Sequence, residues 1–501
     1  MDAPQTKKYA FILGRERDLC FAELKSVLER FGFCSSEDES NFILSDNVAI
    51  INLDKDPAKL IDIFGGVTKI YEVFETGTVI PAQVFDCTQT MSDSRMAGIQ
   101  NTRGMDPRVK PEDDNYFRRK IKDLILERSG KITGKFNFGF SAYGRHRAAQ
   151  LNPLGLNIKK ELKNQLSLRF IALKDKELST IVSSKNKLAT EGLEVGFFND
   201  FVGKLIAVTD PEAWSERDYG KPRGDKFSGM LPPKLARAMI NIALGAITNN
   251  QETNIKKNQN FNTQNSKKLE IRNLDLEIPQ AVLVADPFCG SGNILLEALM
   301  LGLDVIGSDI SKKAVADSRE NIKWLLRSVI PAEAGIQARR GLDPRVKPED
   351  DSYFIKIFQA DATSSDLIRN LELEIRNYDD VVVVCEPYLG EPKKYVPSMN
   401  AARGEYSKIK ELYLGFLKNM ARLSDCPIVD GDSNRTMEQL NNSVVLCLVF
   451  PLVETTDGGR YSLYRETVDE IKKIGYTALQ SPLVYGRDYQ VVKREIVLLQ
   501  L

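Results

Sequence analysis

Apolar positions along the 501-residue chain fall into two periods, and the change between them sets out the elements. Unbroken or alternating apolar runs predict strands, whereas apolar residues three or four apart predict helices. In the first 85 residues this gives a strand at 9–13, a helix at 20–31, and strands around Ile43, around Ile50 and over 67–74. Between 86 and 207 it gives a helix at 116–128, a strand at 136–144, a helix through 156–164, strands at 168–173 and 178–182, and a turn at Gly192–Glu194. From 281 onward strands and helices alternate: strand 281–285, a helix through Leu295, Leu296, Ala298 and Leu299, and a strand ending at Asp309. Helix 312–326, with Ser311 as N-cap, then leads to strand 353–358. The run of valines at 381–384 reads as a strand buried on both faces. A helix at 406–423, a strand at 443–450 and a closing pair at 482–485 and 491–501 follow. Such alternation predicts an α/β domain with a largely parallel sheet.

Two kinds of segment interrupt this pattern. Residues 97–117 (AGIQNTRGMDPRVKPEDDNYF) recur as 334–354 (AGIQARRGLDPRVKPEDDSYF), with 17 of 21 positions identical. Two copies carrying prolines and an acidic cluster cannot stack into a solenoid. They read as insertions into surface loops and resemble mobile palindromic elements. Asp309 and Asp361 are 52 residues apart, and removing the second copy leaves 31, an ordinary strand-helix-strand distance. LEIRN, at 269–273 and 373–377, reads as a second repeated element. The Asn-, Gln- and Lys-rich tract 248–268 reads as a disordered loop.

Composition narrows the possibilities. Lys plus Arg and Asp plus Glu both total 69, so the whole chain is neutral, yet residues 115–190 hold 17 basic against 5 acidic residues. A local excess of this size is what a surface for RNA or another polyanion needs. Seven cysteines without a CxxC pair point to neither zinc nor a disulfide framework and suggest a cytoplasmic protein. The first residues lack a signal-peptide pattern, and no apolar run approaches the ~18 residues of a membrane span. His146 is the only histidine, so histidine-centred catalysis and metal binding are not expected.

The most specific chemistry lies in AVLVADPFCGSGNILLEALMLGLDVIGSDI, residues 281–310. A strand delivers Asp286 to the sheet's carboxyl edge, where ligands of α/β folds bind. Gly290 and Gly292 then allow a tight turn and close approach of the backbone to a ligand. A dinucleotide site would need a third glycine, absent here, and would place Asp286 beside phosphates. An acid at this point suits a cation, which favours S-adenosylmethionine. Asp309, at the end of the next strand, would accept its ribose hydroxyls.

The string DPFCGSGN resembles motif I of class I methyltransferases that act on amino groups of nucleic-acid bases. That resemblance implies a seven-stranded, Rossmann-like domain. It implies a cofactor pocket of Asp286, Phe288, Gly290, Gly292, Asn293, Asp309 and Ile310, with Asp361 and Ala362 of QADAT at the adenine. Where such enzymes carry (Asp/Asn)-Pro-Pro-(Tyr/Phe/Trp), this chain has Cys385, Glu386, Pro387 and Tyr388. In that motif a side chain and a backbone carbonyl hold both hydrogens of the base amine while the aromatic ring stacks. Aligning Pro387 and Tyr388 leaves Glu386 as the acceptor, or Cys385 as a weak one.

Residues 138–144 (FGFSAYG), LGLNIKKELK and SLRFIALKDKELSTIVSSKNKL are similar to a THUMP domain, a tRNA-binding module. The resemblance makes Arg145, Arg147, Lys159, Lys160, Arg169, Lys185 and Lys187 candidate phosphate contacts. MLPPKLA and the closing GRDYQVVKREIVLLQL resemble tRNA guanosine N2-methyltransferases containing THUMP domains, and add Lys234 near the cofactor. Three regions are therefore expected: a ferredoxin-like module over 1–85, the THUMP-like module over 86–207 and the methyltransferase domain over 208–501. The expected reaction is methylation of a tRNA base amine, guanosine N2 of the position-10 type, with no metal, no membrane and a possible small activating subunit. The alternatives are a DNA base amino-methyltransferase and a decayed RNA-binding protein.

Overall fold

The computed structural model describes residues 6–35, 41–74, 111–130, 134–144, 148–199, 201–224, 230–257, 268–271, 276–279, 282–329, 354–375, 378, 380–424, 427–430, 433–436 and 444–501. The chain divides into two compact units, one of Met1–Arg15, Glu37–Asp62 and Val67–Glu212, the other of Glu16–Ser36, Ile63–Gly66 and Ala213–Leu501. Helix α1 (Arg17–Arg30) thus belongs to the second unit, although it directly follows the first strand in sequence.

The first unit is built on one eight-stranded sheet. Its strands are β1 (Lys7–Leu13), β2 (Ile43–Ser45), β3 (Val48–Leu53), β4 (Val67–Phe74), β5 (Phe136–Tyr143), β6 (Leu168–Ile171), β7 (Leu193–Phe198) and β8 (Phe201–Val208), ordered β2-β3-β1-β4-β8-β7-β5-β6. The sequence division near residue 85 does not divide the sheet, because β4 pairs along its length with β8. An open β4 edge would leave a row of backbone groups unpaired, and β8 satisfies them. Helices α2 (Pro111–Ser129), α3 (Ala148–Leu162) and α4 (Thr180–Lys185) belong to the same unit. Phe136, Phe138, Phe140, Leu151, Leu154, Val195 and Phe197 are among the residues of its core.

Several local expectations change. The strand expected at 178–182 is helix α4, because the Ser179 hydroxyl accepts the Val182 N–H at 3.3 Å and caps a helix over β-branched residues. Of the turn expected at 192–194, Leu193 and Glu194 are the start of β7, with Glu194 fully buried. Its Oε1 accepts from Lys69 Nζ at 2.7 Å, Tyr71 at 2.6 Å and Ser141 at 2.6 Å, and its Oε2 accepts from Ser183 at 2.5 Å. Of the first repeat, 97–110 lie outside the described residues and 111–117 are part of α2.

The chain passes from the first unit to the second within a short helix, α5 (Pro211–Ser215), which carries Trp214, and in the second unit α6 (Pro233–Lys257) runs ten residues into the tract expected to be a loop. The remainder of that tract, up to residue 267, lies outside the described residues. Strands β9 (Lys268–Ile271) and β10 (Leu276–Pro279) pair with each other, as do β15 (Pro427–Asp430) and β16 (Ser433–Thr436). The first three residues of LEIRN lie in β9 at its first occurrence and at the end of helix α9 (Ser365–Ile375) at its second, the last two of each copy falling outside the described residues. The same letters take opposite structures because context outweighs local propensity.

The principal sheet comprises β11 (Val282–Asp286), β12 (Asp304–Asp309), β13 (Ile355–Gln359), β14 (Asp380–Cys385), β17 (Val444–Glu454), β19 (Thr477–Ala478) and β21 (Val492–Gln500), with β18 (Arg460–Ser462) and β20 (Leu483–Tyr485) on its margins. The order β13-β12-β11-β14-β17-β21-β19 is the expected seven-stranded path. All pairings up to β17 are parallel and β21 is reversed. Val381 to Val384 are at most 2% exposed, and burying each contributes roughly 1.5–3 kcal/mol as an upper estimate. Helices α7 (Asn293–Met300), α8 (Lys312–Trp324), α9, α10 (Met399–Ser424) and α11 (Leu463–Ile474) complete the α/β unit.

Between β12 and β13, α8 ends two residues earlier than expected and widens into a π-turn at Leu325–Val329. Residues 334–353 of the second repeat lie outside the described residues, while its last residue, Phe354, packs on the core and donates its N–H to Asp304 at 2.8 Å. No described helix is long and apolar enough to cross a membrane.

Candidate active site at the strand ends

The parallel register brings three acids to neighbouring positions. β11 ends at Asp286, β12 beside it ends at Asp309, and β14 on the other side passes into Glu386. Parallel strands end on the same edge of the sheet, so residues 23 and 100 positions from Asp286 in sequence become its neighbours.

Asp286 is 2% exposed. Its Oδ1 accepts the Phe288 N–H at 3.1 Å. Burial drives its pKa well above the usual carboxylate range, and the nearby charges of Asp309 and Glu386 add to the rise. Asp309 holds the turn from the next strand: Oδ2 accepts the Gly290 N–H at 2.9 Å and Oδ1 the Ser311 N–H at 2.8 Å. Ser311 in turn caps α8 by accepting the Ala314 N–H.

The two glycines do different work. Gly292 has φ +89°, and a Cβ there would lie 2.5 Å from Ser318 Oγ, so conformation and space both demand glycine. Gly290 has φ +51°, and nothing lies within 4 Å of where its Cβ would be. The turn therefore presents bare backbone to open space, as a ligand cradle requires. Among the described residues no cluster of His, Cys, Asp or Glu could hold a metal ion.

These features fit S-adenosylmethionine. A buried carboxyl group crowded by two other acids gains from a cation, and Asp309 carries two acceptor oxygens at the edge of the turn.

The other expected cofactor residues are placed variously. Phe288 is partly buried and meets Phe416 edge-on at 5.2 Å. Ile310, directly after Asp309, is 66% exposed. Asp361 is exposed and closes its own turn, with Oδ1 accepting the Thr363 N–H at 2.8 Å and hydroxyl at 2.7 Å. Ala362 is buried, and its carbonyl accepts from Asn419 at 3.1 Å. Lys234 has an aromatic neighbour. It lies over Trp214, 5.4 Å from the ring centroid, with Arg217 and Arg237 around the same ring.

Other residues of the segment before α6 do reach the turn. The Leu231 carbonyl accepts from Asn293 Nδ2 at 2.6 Å, Lys221 donates to Asn293 Oδ1, and Ser291 meets Met230 Sδ at 3.6 Å. Asn321 Nδ2 bridges the carbonyls of Arg223 and Ser291, both at 2.8 Å. Neither Lys221 nor Asn321 stands out in the sequence.

At the end of β14, Cys385 is fully buried in the core, and burial pushes its thiol well up. Glu386, which follows it, is partly exposed. Arg494 of β21 donates to Glu386 from Nε at 2.5 Å and from Nη2 at 3.4 Å. Burial raises the Glu386 pKa, and Arg494 opposes the rise. Pro387 is buried and Tyr388 is 55% exposed, its ring open to a partner. The loop is anchored behind by the Tyr406 hydroxyl, which donates to the Leu389 carbonyl at 3.1 Å.

In the first unit Lys159, Lys160 and Arg169 are exposed, whereas Arg145 and Arg147 lie outside the described residues. Lys185 and Lys187 are exposed but face Glu212 at 3.5 Å and Glu191 at 2.6 Å, which offsets their charge locally.

Comparison with known proteins gives partial matches. A family model described as DNA methylase matches residues 114–320, a stretch that includes Asp286, the glycine turn and Asp309 but not Glu386. The tRNA (guanine(10)-N2)-dimethyltransferase of Methanothermobacter thermautotrophicus is 29% identical over 121 residues, covering 24% of this chain and 26% of the relative. The enzyme of the same name from Methanocaldococcus jannaschii is 25% identical over 125 residues, a quarter of each chain. The matched stretches thus span about a quarter of these relatives' length. Among solved structures, magnesium protoporphyrin IX methyltransferase from Synechocystis PCC 6803 aligns with 58% of this chain and 92% of its own at 13% identity and a TM-score of 0.26.

Proposed function

We propose that this chain transfers a methyl group from S-adenosylmethionine to an exocyclic amine of a tRNA base, with guanosine N2 of the position-10 type as acceptor. The observation that carries the proposal is the meeting of Asp286, the Gly290–Gly292 turn and Asp309 with Glu386 and Tyr388 along one sheet edge. The partial matches to two tRNA guanosine methyltransferases support the choice of acceptor.

Bound S-adenosylmethionine supplies an electrophilic methyl group on a sulfonium. Asp286 holds the cationic part of the cofactor, the glycine turn lets it lie against the backbone, and Asp309 accepts its ribose hydroxyls. Glu386 accepts a hydrogen of the base amine. An aromatic amine is a weak nucleophile because its lone pair is delocalised into the ring, so orientation is the main contribution. The guanidinium of Arg494 opposes the rise of the Glu386 pKa that burial causes, and the same carboxylate, when ionised, can take the proton that the amine nitrogen releases. Tyr388 stacks on the base. Lys159, Lys160 and Arg169 contact phosphates in a THUMP-like manner, which positions RNA without reading its sequence.

The DNA methylase match favours a second reading, a DNA base amine as acceptor. One experiment addresses both. Labelled S-adenosylmethionine is incubated with unmodified tRNA and, separately, with unmethylated duplex DNA, and the nucleosides are resolved by mass spectrometry. N2-methylguanosine from tRNA is the expected product. Methylated adenine or cytosine from DNA, with tRNA unmodified, would replace the first reading by the second.

A further inference from the structure

Beyond the acids and Tyr388, the same unit exposes aromatic rings that its core does not use. Tyr219 is 82% exposed and Tyr489 is 73% exposed. Between β20 and β21 the chain makes a tight turn, closed by the Arg487 N–H on Gln490 Oε1 at 2.7 Å and by the Gln490 N–H on the Arg487 carbonyl at 2.9 Å. That turn holds Arg487 against Tyr489: Nη1 donates to the phenol oxygen, and the guanidinium lies 5.7 Å from the ring centroid. Tyr489 chiefly, and the phenols of Tyr485 and Tyr219 to a smaller degree, hold the Arg487 guanidinium above its ordinary pKa.

The hairpin is joined directly to the reacting end of the sheet. Tyr485 is the register partner of Arg494, and Arg494 holds Glu386. Residues paired across antiparallel strands lie on one face with their Cβ atoms ~5 Å apart. The Arg487–Tyr489 turn is therefore a short continuation of the surface that carries the amine acceptor.

We infer that Tyr489, Tyr219 and Arg487 form a stacking platform for unpaired nucleotides of RNA that flank the target base. An exposed phenol ring held by an arginine, with a second exposed ring in the same unit, suits exposed bases, since every base has a π-face and the guanidinium meets the adjoining phosphate. Duplex RNA hides its base faces and would gain nothing from these rings. The inference rests on the RNA base as acceptor and adds the strand form in which it is presented.

The test uses the full chain, a short labelled oligoadenylate and the same sequence paired to its complement, with binding read by fluorescence anisotropy at fixed salt. Cofactor affinity is measured in parallel by calorimetry, as a check that each variant is folded. Tyr489→Ala and Tyr219→Ala should each weaken binding of the single strand by roughly tenfold, Tyr489→Phe should retain it, and all three should bind cofactor normally. Unchanged single-strand binding in both alanine variants overturns the platform, as does wild-type binding to the duplex that equals binding to the single strand. If the alanine variants lose the oligonucleotide while the wild-type chain methylates no tRNA, the platform stands and the proposed reaction falls. If tRNA is methylated with unchanged KM by both alanine variants, the reaction stands and the platform falls.

Discussion

Arg494 donates to Glu386 at 2.5 Å across 108 residues of sequence, tying the last strand to the loop that carries the proposed amine acceptor. Glu386 is largely buried, so its charge depends on this partner. Removing Arg494 takes away the influence that opposes the rise of the Glu386 pKa.

Arg494→Gln should lower kcat by on the order of a hundredfold at neutral pH, with KM for cofactor little changed. A carboxyl group must be ionised to take the amine's proton, so the variant's activity should climb with pH over a higher range than that of the wild-type enzyme. Arg494→Lys should restore part of the rate. A pH profile identical to the wild type would show that Arg494 does not act through Glu386. Glu386→Ala should abolish transfer while leaving cofactor binding intact.

Asp286 gives a second pH dependence. Its folded-state pKa is raised, mainly by burial and then by Asp309 and Glu386. A protonated carboxyl group cannot attract a cation, so affinity for S-adenosylmethionine should strengthen as pH rises towards the raised value. For stability without cofactor the sign is opposite: the native state holds its proton more tightly than the unfolded chain, so stability declines as pH rises from the ordinary carboxylate range through the raised value. Calorimetric titrations across pH should show affinity rising in the wild type and a weak, flat response in Asp286→Asn. Thermal melts of the same variant should show a smaller loss of stability at higher pH.

Gly292→Ala meets two obstacles, a φ of +89° and a Cβ 2.5 Å from Ser318 Oγ. The backbone alone should cost roughly 1–2 kcal/mol. Cofactor affinity should fall at least tenfold, and adding Ser318→Gly should recover only part of it, because the second change removes the clash and not the strained φ. Full recovery in the double variant would mean that crowding was the whole effect.

In the first unit, Glu194→Ala leaves Lys69, 1% exposed, without its carboxylate. Breaking a buried pair by removing one partner costs about 3–5 kcal/mol. Denaturant melts of the full chain should lose stability in this range, and Glu194→Gln should lose less. Calorimetry under native conditions should find cofactor affinity unchanged.

Lys159→Gln with Lys160→Gln should weaken tRNA binding at low salt and reduce the slope of log affinity against log salt by roughly 1.4 to 1.8. An unaltered slope would remove these lysines from the RNA surface.

Much of the architecture was legible along the chain because it depends on short-range pattern. The glycine turn, the valine strand β14 and the Ser311 cap each occupy a few consecutive residues whose spacing carries the signal. The failures are local conflicts that distant residues decide. Thr180–Val182 has strand propensity but is capped into a helix, and Glu194, read as part of a turn, is a buried strand residue surrounded by Lys69, Tyr71, Ser141 and Ser183. The continuation of α6 into a polar tract and the two structures of LEIRN belong to the same class.

The order of apolar and polar residues, the acids at strand ends and the glycine spacing were sufficient by themselves for an α/β domain with a tight glycine turn at Gly290 and Gly292 between strands ending at Asp286 and Asp309. Tertiary structure alone decided the rest. It paired β4 with β8 across the expected boundary, turned Cys385 into the core, brought Arg494 to Glu386 and laid Lys221, Leu231 and Asn321 against the glycine turn. The physical reason is that periodicity records which face of an element is buried, whereas the partner of a buried charge or an open strand edge is set by desolvation and hydrogen bonding between segments far apart in sequence.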